Sequence, residues 1–524
     1  MSTPPQTSTP CETIELNFTA AVPLDNPYVE QELQVAFTGP GGACIRRPAF
    51  WMGGNSFGVR FAPTAPGPWR WQSTAQPPTR GLHDQNGEVQ AIAYGGVDLR
   101  SKGLLRMSPG GRNVIHATGA PFFMVADTPW ALPWRATLED ATVYAQDRKA
   151  AGFNAALLMS VQPDRFAVGP LDRSAFGGFD VGFSDLPQGH LNQLVPAYFD
   201  KLDALIDVLI NHDIVPVLQP VFQGFGWKGL TVLGTHAVPA EYARYCKYLV
   251  ARYGHQPAMW LISADGTAHY DCIKAAGAAV QKWDAYEQPT GIHYSPFEYL
   301  HGNRAHQNAA WLDFQWCQTG HRSVHDTGPV KRMQARVPIK AVANGEPTYE
   351  GILNPQNGAG VWQMHEAWSQ VCAGGTMGVV YGAGGLWQWK LSDDEPGWPA
   401  WADGPSWKRA LTLPGRTFVG YLAKALAGFD FIDVAYAPHL AGGRDCVARA
   451  AESYLVFMPD GGEAKLQEVT RPLRIRWFDP EGGVFGPERV ESASLDGNVS
   501  LMAPSRKPWV LLADLAQPQN RGSR

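Results

Sequence analysis

The stretch FFMVADTPWALPWRATLEDATVYAQDRKAAGFNAALLM (residues 122–159) decides the fold. It opens on a short apolar run ending in Asp127, passes through an amphipathic segment, and closes on a second apolar run, FNAALLM. Thr137 stands as N-cap with Asp140 three positions on, and Gly152 supplies the C-terminal stop. Strand, helix, strand in this order is a βα unit that leads to a parallel neighbour.

The same rhythm continues outward. Apolar runs follow at IVPVLQP (214–220), AMWLISAD (258–265), TGIHYSP (290–296), LDFQWC (312–317), PIKAVANGEP (338–347) and MGVVYGAGGLWQW (377–389). With the first two they make eight candidate strands. AYFDKLDALIDVLINHD and AEYARYCKYLVARYGH carry apolar residues at helical spacing between strands. The pattern predicts a (β/α)8 TIM barrel. A doubly wound open sheet is the alternative, but no Walker motif is present to support it.

On either side the rhythm shortens. LQVAFTG, NSFGVRFAP and WRWQST before the barrel, and ESYLVFMP, LRIRWFDP and PWVLLADL after it, are short alternating segments divided by Gly and Pro. The expected organisation is an N-terminal antiparallel β-sandwich (12–100), a catalytic barrel (101–428) and a C-terminal β-sandwich (429–518).

Composition narrows the function. A net charge of -5 over 524 residues leaves no basic stripe for a nucleic-acid partner. No run of 18 or more apolar residues is present, so no membrane span is expected. The start, MSTPPQTSTPCETIELNF, shows no secretory signal, and the cytoplasm is the expected compartment, although a processed chain would look the same. Seven scattered cysteines without a C-x-x-C pair suggest neither a zinc cage nor a disulfide framework. The 14 histidines lack metal-ligand spacing, and H-E-x-x-H is missing. No metal or organic cofactor is expected. The composition leaves assembly into a homo-oligomer open.

In a barrel of this kind the site lies at the C-terminal ends of the strands. Asp127, Gln219, Asp265, His293, Gln315, Glu346, Trp387 and Trp389 all sit at or near such ends. Each alone is as well explained by a helix cap, an ion pair or core packing. Their convergence is the argument. Two carboxyl groups flanking a glycosidic bond are the chemistry of glycoside hydrolysis, one protonating the leaving oxygen and one attacking or activating water. Strands four and seven face across the barrel, so Asp265 as acid/base and Glu346 as the partner carboxylate fit that geometry. Burial behind AMWLIS would raise the Asp265 pKa; its alternative is a cap for a helix near Thr267. Trp387 and Trp389 alternate in GLWQWK, so one would enter the cavity as a sugar platform while the other packs outward. Asp127 either bonds sugar hydroxyls or caps a turn through Thr128 and Pro129. Trp130 completes the expected sugar-binding set. DDEPGWPAW (393–401) is a candidate rim.

Several segments resemble the apiosidase-like glycoside hydrolase family. VADTPWALPWRATLEDATVYAQDRKAAGFNAALL is similar to that family's opening, where a G-D-T-x-W motif leads into a helix and a G-F-N strand. ANGEPTYEGI (343–352) resembles its E-P-x-Y-E segment, and AMWLISAD takes the place of its W-x-x-G-G-D strand. FTGPGG and GVRFAPTAPGPWRWQST are similar to the β-sandwich that precedes such barrels, and the last stretch to a small β-domain that carries a collagen-binding label. The resemblance implies Asp265 as acid/base and Glu346 as nucleophile, with Asp127 and the strand-eight tryptophans along the sugar subsite. Ser263 and Ala264 replace Gly-Gly, and Ala126 replaces Gly, so apiose specificity does not carry over.

The expected activity is that of a retaining, exo-acting glycosidase on an oligosaccharide or small glycoside. The alternative is a non-catalytic carbohydrate-binding protein with a degenerate barrel, motivated by those replaced glycines. Hydrolysis of any aryl glycoside would separate the two.

Overall fold

The computed structural model describes residues 9–163, 181–223, 233, 237–266, 270–296, 304–321, 325–352, 360–395 and 403–516. Eight parallel strands close into a barrel in sequence order, the last pairing with the first. They are β1 (Met124–Asp127), β2 (Ala155–Met159), β3 (Val215–Gln219), β4 (Met259–Leu261), β5 (Thr290–His293), β6 (Phe314–Gln318), β7 (Ala341–Glu346) and β8 (Gly378–Val380). All but β6, which runs one residue past its apolar run to Gln318, fall inside an apolar run of the sequence, and most of the runs are longer than the strands. β4 stops at Leu261 and β8 at Val380, because the ends of those runs leave the ladder to build the site.

Helices pack around the wall: α1 (Leu138–Ala151), α2 (Pro196–Asn211), α3 (Pro239–Tyr253), α4 (Asp271–Trp283), α5 (Gly328–Gln334), α6 (Val361–Cys372) and α7 (Gly415–Leu426). The caps of α1 are those the sequence offers. The Thr137 hydroxyl accepts the Asp140 N–H at 3.1 Å, and Gly152 takes the left-handed conformation at φ 96°.

Which strand residues face the axis follows from register. Paired residues in parallel strands point the same way, and faces alternate along each strand. Asp127 meets Arg148 on α1, the Trp260 indole bonds Asp284 just beyond α4, and Asn344 meets Glu366 on α6. These three therefore point outward to the helices. Their neighbours Ala126, Leu261 and Ala343 point inward, and pairing carries the inward set to Leu157, Val217, Gln219, Gly291, His293, Phe314, Trp316 and Gln318. Phe314 lies over Gly291, where an added Cβ would come within 2.2 Å of its ring. The interior is packed rather than open.

Two antiparallel sheets of three and four strands form the N-terminal sandwich, with Phe37 stacked on Phe61 at 3.9 Å and Trp69 fully buried. It grips the barrel through arginines. Arg47 Nη2 donates to the Val250 carbonyl at 2.9 Å, and Arg60 reaches Asp203 at 2.6 Å and the Arg252 carbonyl at 3.1 Å. Cations at the carbonyl end of α3 oppose its helix dipole favourably. At the C-terminus a seven-stranded antiparallel sheet and a two-stranded one enclose a separate core that includes Tyr454, Trp477 and Leu511. No helix among the described residues is long and apolar enough to cross a membrane.

Candidate active site

Glu346 reaches the interior through an irregularity in β7. Ala343 faces in and Asn344 faces out, so strict alternation would turn Glu346 outward. The register shifts instead: Cys317 pairs with Asn344, and Gln318 with Glu346, leaving Gly345 as an extra residue. This bulge returns Glu346 to the inner face. Only glycine fits there, since a Cβ on Gly345 would sit 2.5 Å from the Trp316 side chain.

Inside, the Glu346 carboxylate lies between two imidazoles. Its Oε2 is 3.4 Å from His293 Nε2 and its Oε1 is 3.4 Å from His321 Nε2. His293 Nδ1 is 3.5 Å from Gln219 Oε1, so β3, β5 and β7 meet in one polar cluster. Glu346 is 3% exposed, and Gln219 and His293 are fully buried.

Asp265 lies four residues beyond the end of β4, in a left-handed conformation at φ 52°. Asp is among the few side chains that tolerate this region. Both neighbours of Asp265 are pinned: the Ala264 carbonyl accepts the Gln223 N–H at 2.9 Å, and Gly266 donates to the His293 carbonyl at 3.4 Å while accepting from Ser295 at 3.0 Å. His293 thus touches Glu346 with its ring and the Asp265 turn with its backbone. Burial raises the pKa of the Tyr349 phenol far above the ordinary range, and the negative charges of Glu346 and Asp265 push it further. The helix near Thr267 falls outside the described residues; the described helix starts at Asp271.

Aromatic rings form one wall. Trp130 stands edge-on to Trp387 at 5.9 Å and to His293 at 6.1 Å, and is tilted against Phe222 at 5.8 Å. Its indole nitrogen is buried without a hydrogen-bond partner. The Gln219 Nε2 and Gln318 Oε1 atoms are likewise buried and unpartnered. Unsatisfied buried polar atoms are costly unless a ligand or water completes them.

Three expected binding residues lie elsewhere. Asp127 is on the outer face of β1, fully buried, with Arg148 on one oxygen and the Thr128 N–H on the other at 2.8 Å. Strand register sends it to the helix layer. Gln315 also points outward and donates to Gln307 at 2.8 Å; the inward glutamine is Gln318, three residues on. Trp387 and Trp389 do not alternate on a strand, because residues beyond Val380 form turns. Trp387 still joins the aromatic wall. Trp389, at φ 51°, is fully buried and stacks on Trp407 at 4.5 Å. Of the candidate rim, residues 396–401 fall outside the described residues, while Asp393 pairs with Arg409 and Glu395 with Arg135.

His321, Tyr349 and Gln318 escaped the sequence reading. Their signal was present: QTGH (318–321) is the polar end of the sixth apolar run, and Tyr349 belongs to EPTYE. Ending the sixth strand at Cys317 hid the first and the last. Two more carboxyls stand behind the loop after β7. Glu350 accepts from the Tyr381 hydroxyl at 2.6 Å and the Gly415 N–H at 2.8 Å. Glu366 accepts from the Thr319 hydroxyl at 2.9 Å and the Thr348 N–H at 3.0 Å. Burial pushes each up to about 7, against the pull of those hydrogen bonds.

Among the described residues no group of three or more His, Cys, Asp or Glu side chains could hold a metal. The profile of the family described as "Apiosidase-like, catalytic domain" matches residues 108–433, more than half the chain. The chain belongs to the apiosidase-like family. As a member it is a glycoside hydrolase with a carbohydrate substrate. A domain of unknown function, DUF5060, matches residues 9–76, within the N-terminal sandwich. No curated protein matches in sequence.

Solved structures share the family's architecture. One described as a glycoside hydrolase has 21% identity and a TM-score of 0.64, covering 81% of this chain and 99% of its own. A family 5 glycoside hydrolase from Bacteroides vulgatus has 20% identity and a TM-score of 0.63 over 81% and 96%. A second Bacteroides vulgatus protein, provisionally named a glycoside hydrolase, has 18% identity and a TM-score of 0.69 over 96% and 99%. At these identities the likeness is one of fold.

Proposed function

We propose that the enzyme is a retaining, exo-acting glycosidase in which Glu346 is the nucleophile and Asp265 the acid/base. Glu346 attacks the anomeric carbon while Asp265 protonates the leaving oxygen; Asp265 then takes a proton from the water that hydrolyses the glycosyl-enzyme. The observation that carries this reading is the place of His293, whose ring lies against the Glu346 carboxylate and whose carbonyl accepts the N–H of Gly266, next to Asp265. Exo action is supported by depth: Asp265 is 1% exposed and Glu346 3%, which suits the end of a sugar chain better than its middle.

The remaining roles follow from position. Trp130 and Trp387 offer a corner for the apolar face of a sugar ring, and the Gln219 and Gln318 amides offer hydrogen bonds to its hydroxyls. His293 and His321 hold the nucleophile in line. The sugar itself is best found with a panel of aryl glycosides, because one positive fixes sugar and reaction together. On the responsive substrate, Glu346→Ala and Asp265→Ala are each expected to lose at least about 1,000-fold in kcat/KM, roughly 4 kcal/mol of transition-state stabilisation. Near-normal rates in both variants would overturn the assignment.

A further inference from the structure

We propose that Glu366 is a positioning residue for Glu346: from α6 it fastens the bulge that turns the nucleophile into the barrel. The inference rests on reading Glu346 as the nucleophile.

The bulge needs such a fastening. Pairing of β7 with β8 ends at Asn344, opposite Val379, and the next bridge between these segments joins Glu350 to Ala383. Between them Glu346 sits on a backbone whose ladder the extra Gly345 has interrupted. Glu366 replaces the missing bonds. Its Oε2 accepts the N–H of Thr348, two residues after Glu346, and its Oε1 accepts the hydroxyl of Thr319 at the end of β6. Asn344, two residues before Glu346, lies 3.5 Å from the same Oε1 and donates to the Thr319 hydroxyl at 2.9 Å. One buried carboxylate thus ties the residues on both sides of Glu346 to the neighbouring strand. On the opposite face Trp316 fills the space against Gly345, so the bulge cannot relax inward.

Each oxygen of Glu366 holds a tether, so replacing Glu366 by Ala frees both and lets the Glu346 carboxylate drift while the sugar-binding walls stay in place. An amide of the same shape keeps both, its oxygen accepting the Thr348 N–H and its NH2 donating to the Thr319 hydroxyl, which has a lone pair left beside the bond from Asn344. Misplacement of a reacting group by an ångström costs about 100-fold in rate.

The test uses the full chain and the aryl glycoside found above. Glu366→Ala is expected to lower kcat by about 100-fold with KM held within about threefold, a loss confined to the transition state. Glu366→Asp, which keeps both acceptors on a shorter stem, is expected to recover part of that loss. Glu346→Ala run alongside keeps the two claims apart, because added azide should restore turnover there and yield a glycosyl azide. Azide rescue together with wild-type kcat in Glu366→Ala would overturn this inference alone. Full activity in Glu346→Ala would overturn the nucleophile assignment beneath it. Loss of folding in both Glu366 variants would reduce Glu366 to a stability role, and equal losses in kcat and 1/KM would mean that the whole site is disturbed; either would overturn the inference.

Discussion

Replacing Asp127 asks whether register or proximity to the strand end decides what a residue does. Asp127 and Arg148 are both fully buried, and Arg148 also pairs with Asp147 at 2.6 Å and lies over the rings of Phe153 and Tyr381. Asp127→Ala removes one anion and strands the guanidinium in the helix layer. Breaking a buried pair from one side costs about 3–5 kcal/mol. The remaining Asp147 contact places the expected cost at the low end, about 3 kcal/mol. For a chain of this length such a loss lowers the melting temperature by roughly 5 °C, since about 2–4 °C per kcal/mol applies to shorter domains. The double variant Asp127→Leu with Arg148→Met should recover much of the loss, because an apolar pair of similar volume is often neutral or better. The assay is thermal unfolding of the three variants, with KM measured on each. A raised KM in Asp127→Ala with an unchanged melting temperature would refute the outward placement, and so would a double variant no better than the single one.

The aromatic residues divide the same way: Trp389→Ala should destabilise by about 3–5 kcal/mol with KM unchanged in the folded fraction, whereas Trp130→Ala should raise KM by roughly tenfold, and the opposite pattern would reverse their assigned places. Glu350 carries a pH signature. Its folded pKa of about 7 lies above the ordinary 4.5, so the folded state binds the proton more tightly and its stability contribution is complete below 4.5 and lost as pH rises through 7. The shift corresponds to roughly 3 kcal/mol, so the stability of Glu350→Gln relative to wild type should improve by about that much across this range; a difference that stays flat with pH would contradict the burial argument.

The barrel was legible because each βα unit announces itself locally, as in the Thr137 cap, the amphipathic α1 and the Gly152 stop. Which strand-end residues enter the cavity was less legible, because a side chain's face depends on register and on where the strand truly ends. Asp127 and Gln315 read as inward because they stand in apolar strands, yet alternation puts them outside. Glu346 would have been sent outward by the same alternation; only the bulge at Gly345 brings it in, and a bulge is a pairing event between β6 and β7 that no local pattern encodes. Trp389 looked like a sugar platform because GLWQWK alternates as a strand would. The chain instead turns after Val380, where Gly385 takes a left-handed φ of 74°, and the indole buries itself against Trp407.

The central claim is that Glu346 forms a covalent bond to the sugar. The direct measurement is mass spectrometry of the enzyme inactivated by a 2-deoxy-2-fluoro derivative of the responsive glycoside, followed by digestion and peptide mapping. One glycosyl group on Glu346, blocked in advance by the natural substrate, is the predicted result. A label on another residue, or an enzyme that turns over without ever carrying one and releases the inverted anomer, would contradict it.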